Sequence, residues 1–223
     1  MNTHEIVCLA AIFFCVLLSG TAMGEESPEA LLQHGEMYFS GKKVKQDYKE
    51  AFKLFEKAAA RGNAQAQSKL GHMYDFGLGV EKDFGKAREW YDKAAAQGDV
   101  AAFFGIGGLY RGGLGVEQDN DKALKWYRRS AEGGYADAMY ELGKMHHLGR
   151  GVKQDYRETK KWYQMAAEQG YAEAQFELGL MYQYGEIGTE KDLVQAGKWY
   201  DKAAEQGHAD AREKLKELQG KGK

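Results

Sequence analysis

Cysteine and proline are nearly absent from this 223-residue sequence, and neither sign of charge predominates. Both cysteines, Cys8 and Cys15, lie in the N-terminal apolar segment, so we predict no disulfide framework in the rest of the chain. The sequence contains 29 glycines but only one proline, Pro28. In collagen and in disordered linkers both residues are frequent, so this composition does not fit either class. A formal net charge of −2 offers no broad attraction for a polyanion, so no nucleic-acid partner is predicted.

Long hydrophobic runs are also missing, apart from one at the N-terminus. Residues 6–18 form an apolar run of 13, which is shorter than the ~20 residues of a membrane-spanning helix. Ala22 and Gly24 place small residues at the −3 and −1 positions of a cut after Gly24, a pattern typical of a secretory signal peptide. Because no Lys or Arg precedes the run, an uncleaved short anchor is the alternative. We expect cleavage of residues 1–24, no membrane insertion afterwards, and a periplasmic or secreted location if the protein is bacterial.

A repeat of 36 residues dominates the remaining sequence. Glycines recur at this interval in several registers, one of which is Gly35, Gly71, Gly107, Gly143 and Gly179. Trp-Tyr pairs share the interval. Such a fixed period indicates stacked supersecondary units, each of which buries its apolar face only against its neighbours. The predicted solenoid covers residues 25–219, with repeats 28–63, 64–99, 100–135, 136–171 and 172–208, a capping helix at 209–218 and a tail at 220–223.

Each unit is predicted to contain two helices. In the second unit, Ala66, Leu70 and Met73 have helical spacing, and Asp83 fits the N-cap of a second helix. Gly71 falls inside the first helix, where it costs roughly 1 kcal/mol relative to alanine. Since this cost recurs in every unit, we interpret the glycine as a point of close helix contact, with small alanines such as Ala94 opposite.

The motif of the second unit reads Leu70-Gly71-x-x-Tyr74-x-x-Gly77-x-Gly79-Val80-x-x-Asp83-x-x-Lys86-Ala87-x-x-Trp90-Tyr91-x-Lys93-Ala94-Ala95-x-Gln97-Gly98. This motif resembles the Sel-1-like repeat, a relative of the tetratricopeptide repeat, over essentially the whole chain after the leader. The resemblance implies an all-α, right-handed superhelical solenoid of antiparallel helix pairs, with a concave face that binds protein partners. One departure is His146, which takes a tyrosine position. Some exported members are cysteine-rich and are linked to penicillin binding or β-lactam hydrolysis, an inheritance that the missing cysteines put in doubt.

Candidate catalytic and metal sites have simpler structural interpretations. Ser40 and Lys43 satisfy Ser-x-x-Lys, but they are predicted to lie in a turn, and the companion motifs of penicillin-recognising enzymes are missing from the sequence. His146 and His147 are adjacent and diverge by about 100° on a helix, so they are not predicted to grip one metal ion. Asp119 fits a helix cap better than a calcium loop. We predict no catalytic residues, no metal and no cofactor.

Positions that vary within the period are better candidates for function. Phe104, Tyr140 and Phe176 align on the predicted first helices and form a possible aromatic ladder. Aromatic anchors inside a polar rim are typical of protein-binding surfaces. The alternative is that the ladder packs between neighbouring helices. The predicted partner-binding residues of the concave face are Phe104, Arg111, Tyr140, Lys144, His147, Phe176 and Tyr184.

The sequence therefore favours an exported, non-catalytic scaffold or adaptor that binds a protein or peptide partner. The two alternatives are a β-lactam-hydrolysing or penicillin-binding protein of the cysteine-rich type and a protein that binds cell-wall glycan.

Overall fold

A computed structural model describes residues 26–185 and 189–220, and within these ranges the protein consists of eleven helices and no strands. The predicted signal peptide and the end of the predicted tail lie outside the described residues. The helices are α1 Pro28–Ser40, α2 Tyr48–Ala60, α3 Ala64–Phe76, α4 Phe84–Ala96, α5 Val100–Gly112, α6 Asn120–Glu132, α7 Ala136–Leu148, α8 Tyr156–Glu168, α9 Ala172–Tyr184, α10 Leu193–Glu205 and α11 Ala209–Gly220.

The helices form a solenoid of antiparallel pairs, as the sequence predicts. Each odd-numbered helix from α1 to α9 is the first helix of a repeat and packs against the second helix that follows it, while α11 packs on α10. Neighbouring pairs contact each other in chain order, so each repeat shares its core with the next one. No described helix has the length and apolar character needed to cross a membrane.

The helix boundaries follow the predicted caps. Ser27 accepts a hydrogen bond from the amide of Ala30, and Pro28 begins α1 without leaving a donor unpaired. An aspartate caps each second helix by accepting one or two amide hydrogen bonds of the first turn, as predicted. These residues are Asp47, Asp83, Asp119, Asp155 and Asp192.

The glycine inside each first helix is a point of close contact, as predicted, but its neighbour is an aromatic ring and not an alanine. A Cβ atom at Gly71 would lie 2.5 Å from the ring of Tyr91, and one at Gly107 would lie 2.7 Å from the ring of Tyr127. The same arrangement recurs in the other repeats, where Gly35, Gly143 and Gly179 meet Phe55, Tyr163 and Tyr200. Each ring therefore sets the distance between the two helices of its repeat.

The two members of the Trp-Tyr pairs have different environments. The four tyrosines are at most 3% exposed and belong to the core. Three of the four tryptophans are only half-buried, and a cation lies over the ring in each case: Lys93 over Trp90, Arg129 over Trp126 and Lys202 over Trp199. The tryptophans thus shield the core edge, with cations covering their faces.

Repeat 1 differs from repeats 2, 3 and 4 at the second turn glycine. Gly79 of repeat 2 has a φ of +70°, and a Cβ there would lie 2.4 Å from the carbonyl oxygen of Tyr48 in the preceding second helix. Lys43 occupies the equivalent place in repeat 1 with a φ of +73°. No helix precedes α1 within residues 26–185 and 189–220, so no described backbone blocks a side chain at Lys43, and only the backbone cost of the left-handed conformation remains.

His146 is a buried polar residue in a position where other repeats have tyrosine. Tyr74, Tyr110 and Tyr182 each lie near a lysine ammonium group, at 4.6–5.3 Å from the ring centre. His146 is 5% exposed, and neither ring nitrogen has a hydrogen-bond partner among the residues that the structure describes. Burial lowers the pKa of His146, against a raising effect of Glu158.

We expect Gly107→Ala to destabilise the protein and Gly108→Ala to leave it as stable or more so. A Cβ at Gly107 overlaps the Tyr127 ring, an overpacking that costs about 1–3 kcal/mol. A Cβ at Gly108 meets only the Tyr127 hydroxyl at 3.9 Å, so the better helix propensity of alanine should contribute up to about 1 kcal/mol. Urea unfolding followed by circular dichroism measures both. Equal effects from these adjacent substitutions would contradict the role of the glycine–aromatic contact.

We expect His146→Tyr to stabilise the protein by about 1 kcal/mol at pH 7, since it removes an unsatisfied buried imidazole. Because the pKa of His146 is lowered on folding, its imidazole binds a proton more readily in the unfolded chain than in the folded protein. The part of the stability that depends on a neutral His146 is therefore fully present above the unfolded pKa of ~6.5 and is lost as the pH falls below it. Melting temperatures measured from pH 7.5 to 5.5 should fall less steeply for His146→Tyr. The reciprocal change Tyr110→His should steepen the fall, and parallel curves for all three proteins would refute this account.

Candidate functional site

The solvent-facing side chains of the first helices α1, α3, α5, α7 and α9 form one continuous surface, which we call the first-helix face. It corresponds to the concave face of the sequence prediction. In repeats 2, 3 and 5, the buried tyrosine of the second helix reaches this face with its hydroxyl group. Arg111 Nε donates a hydrogen bond to Tyr127 Oη at 3.0 Å, and Tyr200 Oη donates to Gln183 Oε1 at 2.6 Å. The face is thus connected to the core through the tyrosine hydroxyls.

The partner of the tyrosine hydroxyl changes from repeat to repeat. In repeat 2 it is the carboxylate of Asp75, which interacts with the hydroxyl of Tyr91. In repeat 1 the second-helix ring is Phe55, which has no hydroxyl, and the equivalent first-helix residue is Phe39, at a ring distance of 6.2 Å. Polar residues on the face thus accompany a tyrosine, and an apolar residue accompanies the phenylalanine.

The aromatic ladder of repeats 3 to 5 is half-buried and packs within the array. Phe104 lies 5.4 Å from the ring of Tyr127 and 5.3 Å from that of Tyr135, the residue before the next first helix. Tyr140 lies in the same way between Tyr163, at 5.4 Å, and Tyr171, at 5.1 Å. The third member, Phe176, contacts Tyr200 at 5.8 Å and stacks on His208 at 4.5 Å.

Two of these contacts replace a helix cap. Asn63 and Asp99 accept an amide hydrogen bond at the start of α3 and α5, but Tyr135 and Tyr171 make no side-chain cap bond at the start of α7 and α9. Loss of such a cap costs typically about 1 kcal/mol. The aromatic pairing across adjacent repeats offsets this cost, since a ring pair contributes roughly 0.5–1.5 kcal/mol beyond its buried area.

Repeat 2 lacks the ladder, and a cleft opens there. Ser68 and Asp99 take the places that Phe104 and Tyr135 occupy one repeat later. The cleft has a volume of about 680 Å³ and extends over α3, α5 and the start of α7. Its walls include aromatic rings, and its lining includes two glycines, of which Gly105 is buried and Gly108 is half-buried. The aromatic lining residues are Phe39, Phe76, Phe84, Tyr91, Phe104, Tyr127 and Tyr135, and the glycines are Gly105 and Gly108.

The charged groups of the cleft interact with the protein itself. Lys69 Nζ lies 3.0 Å from Glu36 Oε1, and Arg111 Nε lies 3.9 Å from Glu141 Oε2 in addition to its bond with Tyr127. Burial raises the pKa of Asp75, while Lys82 and the Tyr91 hydroxyl lower it. Burial likewise lowers the pKa of His72 and raises that of Tyr127 to about 12, so the imidazole and the phenol are neutral at pH 7.

The structure distributes the predicted partner-binding residues along the first-helix face. Phe104 and Arg111 line the cleft. Tyr140 and Phe176 belong to the ladder, whereas Tyr184 is 60% exposed at the end of α9. Lys144 Nζ pairs with Glu141 at 3.0 Å and lies 5.2 Å from the Tyr140 ring centre, and His147 meets Tyr156 edge-on at 5.3 Å. These residues therefore share a face, but they do not converge on one point.

The sequence prediction missed the residues that create the cleft. Ser68, Asp75 and Tyr91 line the cleft but are not among the seven predicted partner-binding residues. The signal was an absence: α5 contains glycines at positions where other first helices carry side chains. Gly105 takes the place of Lys69 and Glu141, while Gly108 takes that of His72 and Lys144.

The candidate catalytic and metal residues do not form a reactive site in the described structure. Ser40 ends α1, and its hydroxyl donates to the carbonyl oxygen of Glu36 at 2.7 Å. Lys43 lies in the following turn. Within residues 26–185 and 189–220, no group of three or more His, Cys, Asp or Glu side chains is placed to hold a metal ion.

Comparison with known proteins identifies the repeat. A sequence model of the Sel1 repeat matches residues 28–63, 64–99, 102–135, 136–171 and 172–208. No match to a curated protein sequence was found.

Several solved structures are similar to this chain. A Sel1 repeat protein from Oxalobacter formigenes has 38% identity and a TM-score of 0.79, covering 91% of this chain and 81% of that one. The protein c5321, described as a protective antigen present in uropathogenic Escherichia coli strains, has 40% identity and a TM-score of 0.69. The match covers 88% of this chain and 42% of c5321. The immunity protein Pa5087 from Pseudomonas aeruginosa shares the fold at 24% identity, with a TM-score of 0.61 over 86% of this chain and 70% of that one.

Proposed function

Because the chain belongs to the Sel1 repeat family, we propose that it is an exported, non-catalytic scaffold that binds a protein or peptide partner on its first-helix face. The observation that carries this proposal is the division of labour between positions in the repeat. Core positions such as Gly71 and Tyr91 keep their character in every repeat, whereas first-helix face positions change in size, charge and polarity. A surface that varies over a constant core is suited to recognise one particular partner.

An exposed apolar row supports partner binding. Three first helices end in a large apolar residue at the same position of the repeat. These residues are Phe76, Leu148 and Tyr184, which are 58%, 49% and 60% exposed. Together they account for half of the large hydrophobic side chains that are exposed in the described part of the chain. Exposed apolar side chains concentrated along one line of a surface mark an interaction site more often than scattered ones.

The proposed contact residues are the seven predicted from the sequence, together with the cleft. Phe104 and Arg111 would act at the cleft, and Tyr184 at the far end of the face. The half-buried ladder members would present one ring face to the partner while the other packs in the array. The full set is Phe104, Arg111, Tyr140, Lys144, His147, Phe176 and Tyr184.

A non-catalytic role is supported by the environment of Ser40. Its hydroxyl hydrogen is engaged by a backbone carbonyl of the preceding turn. A nucleophilic serine needs a neighbouring base to take its proton, and Lys43 extends from a separate turn whose backbone is left-handed.

Export is supported by the pattern of residues 1–24 and by the similarity to c5321, which is described as a protective antigen. In a bacterium, the protein would be periplasmic or secreted. Helix α1 starts at Pro28, so cleavage after Gly24 would leave the cap of Ser27 intact.

We expect the exported protein to begin at Glu25, because the small residues Ala22 and Gly24 suit signal peptidase. Intact-mass measurement of the protein recovered from the envelope or the medium should show the loss of residues 1–24. The variant Ala22→Arg should accumulate uncleaved, since a bulky charged side chain at −3 blocks processing. A full-length, membrane-associated wild-type chain would contradict the export proposal.

Photo-crosslinking in the native envelope tests the binding face. A benzophenone amino acid in place of Phe76 or Tyr184 should crosslink to one and the same partner, because both side chains are exposed on the first-helix face. Val194 is the matched control, since it is 69% exposed but lies at the start of a second helix, α10.

Equal crosslinking from Val194 and from the two first-helix positions would refute a specific binding face. If Phe76 and Tyr184 crosslink to glycan strands with no protein attached, the ligand of the face is cell-wall glycan and the proposed protein partner is wrong.

A further inference from the structure

The repeats provide an internal comparison for the cleft. In repeats 3, 4 and 5, the space between the buried second-helix tyrosine and the start of the next repeat is filled by an aromatic pair of this protein. The pairs are Phe104–Tyr135, Tyr140–Tyr171 and Phe176–His208, with ring distances of 5.3, 5.1 and 4.5 Å. This space therefore accepts flat aromatic groups in three of the repeats.

In repeat 2 the same space lacks both rings. Ser68 and Asp99 stand in place of the pair, while the tyrosine, Tyr91, is retained. Gly105 and Gly108 of the next helix further remove the side chains that flank the space elsewhere. We call the part of the cleft bounded by Ser68, Tyr91, Gly105 and Gly108 the notch.

The two glycines of the notch, Gly105 and Gly108, differ in what a side chain at their position would contact. A Cβ at Gly105 would lie 2.4 Å from the Tyr91 ring, so this glycine is required for the tyrosine to pass between α3 and α5. A Cβ at Gly108 would lie 3.9 Å from the Tyr127 hydroxyl and meet no other atom within contact range. Gly108 therefore costs helix stability without making room for any core side chain, and what it leaves is open space on the face.

From this comparison we infer that the notch receives an aromatic side chain of a partner peptide, which completes the ladder where the protein leaves it open. The inference deepens the proposed function and rests on it. The inserted ring would enter the cleft beside Phe104 and Gly108, with Ser68 and Tyr91, which are 6% and 3% exposed, at its base. The whole cleft, at about 680 Å³, falls within the size range of sites that bind a ligand and leaves room for peptide backbone around the ring.

The charges around the notch favour an uncharged aromatic group over a charged one. Lys69 is paired with Glu36, and Arg111 is held by Tyr127 and Glu141. The carboxylate of Asp75 interacts with the Tyr91 hydroxyl and with Lys82. A charged ligand group would have to displace these contacts, whereas a neutral ring adds to Tyr91, Phe104 and Tyr135 without breaking them.

Blocked pentapeptides Gly-Gly-X-Gly-Gly, with X as Phe, Leu, Lys or Ala, serve as probes. They are titrated at millimolar concentration into the ¹⁵N-labelled chain of residues 25–223, and amide shifts are followed by NMR. The Phe peptide should produce saturable shifts at Ser68, Gly105 and Gly108, and should bind at least tenfold more tightly than the Lys and Ala peptides. Binding of the Lys peptide as tightly as the Phe peptide would overturn the inference.

Two variants that fill the notch from opposite sides test its location. Ser68→Phe supplies the missing ladder residue from α3, and Gly108→Leu adds a side chain from α5 into open space. Each variant should lower the affinity for the Phe peptide at least tenfold and retain the helical circular dichroism spectrum. Gly197→Leu is the matched control, because Gly197 is also inside a helix, α10, and a Cβ there meets nothing within 4 Å. If Ser68→Phe fails to fold, Gly108→Leu decides the test.

The remaining outcomes separate this inference from the proposed function. Undiminished binding of the Phe peptide to both filled variants overturns the notch, while crosslinking at Tyr184 can still establish the face. Binding of N-acetylphenylalanine amide as tight as that of the Phe pentapeptide would overturn the peptide as occupant and assign the notch to small aromatic molecules. Notch binding in a protein whose first-helix positions crosslink to no protein would remove the proposed scaffold role and leave the aromatic site.

Discussion

The insertion of one aromatic ring against one glycine in each repeat is the contact on which the rest of the structure depends. The ring of Tyr127 fills the space that a side chain at Gly107 would need, and this contact recurs in all five repeats. It sets the distance between the two helices of a hairpin, and in repeat 2 the Tyr91 ring also meets Gly105 of the next repeat. The glycine loses helix propensity but permits a closely packed interface that alanine would hold apart.

The same tyrosine connects the core to the surface. Its ring is buried, yet its hydroxyl emerges on the first-helix face, where it meets Asp75, Arg111 or Gln183 according to the repeat. Burying a phenol is tolerable only when the hydroxyl has a partner or reaches water. The face residue is therefore partly constrained by the core, which explains why Phe39 accompanies the ring without a hydroxyl, Phe55. A substitution at Arg111 would remove its hydrogen bond to the hydroxyl of Tyr127 as well as the surface charge.

Much of the fold was predictable because it is encoded locally and repeated. The spacing of Ala66, Leu70 and Met73 predicts the buried stripe, and Asp83 predicts the start of a second helix; all are found as expected. The repeat also identified Gly71 as a close contact, but not its neighbour. Spacing within one helix says which side a residue faces, whereas the residue opposite depends on the rotation of the next helix, and this brought Tyr91 rather than Ala94 to the glycine.

The candidate site was less predictable, since it arises from side chains that are missing at several distant positions. Alignment placed Phe104, Tyr140 and Phe176 on one face, but it did not show that each ring would turn towards the next repeat. Nor does a list of residues reveal that Ser68, from α3, and Gly108, from α5, border the same volume. A cleft is a property of two helices together, and periodicity describes them one at a time.

A stacked array makes such a local opening inexpensive. Each repeat contacts only its neighbours, so removing a ladder pair from repeat 2 leaves the pairs of repeats 3 to 5 in place. Asp99 even regains the helix cap that Tyr135 gives up, since it accepts the amide hydrogen bond of Ala102. The loss of aromatic packing is thus partly offset within the same repeat, while the glycine–tyrosine contact that holds α3 and α4 together is untouched. The fold can therefore carry an opening on its face without disturbing the interface that defines the repeat, because different positions serve the two purposes.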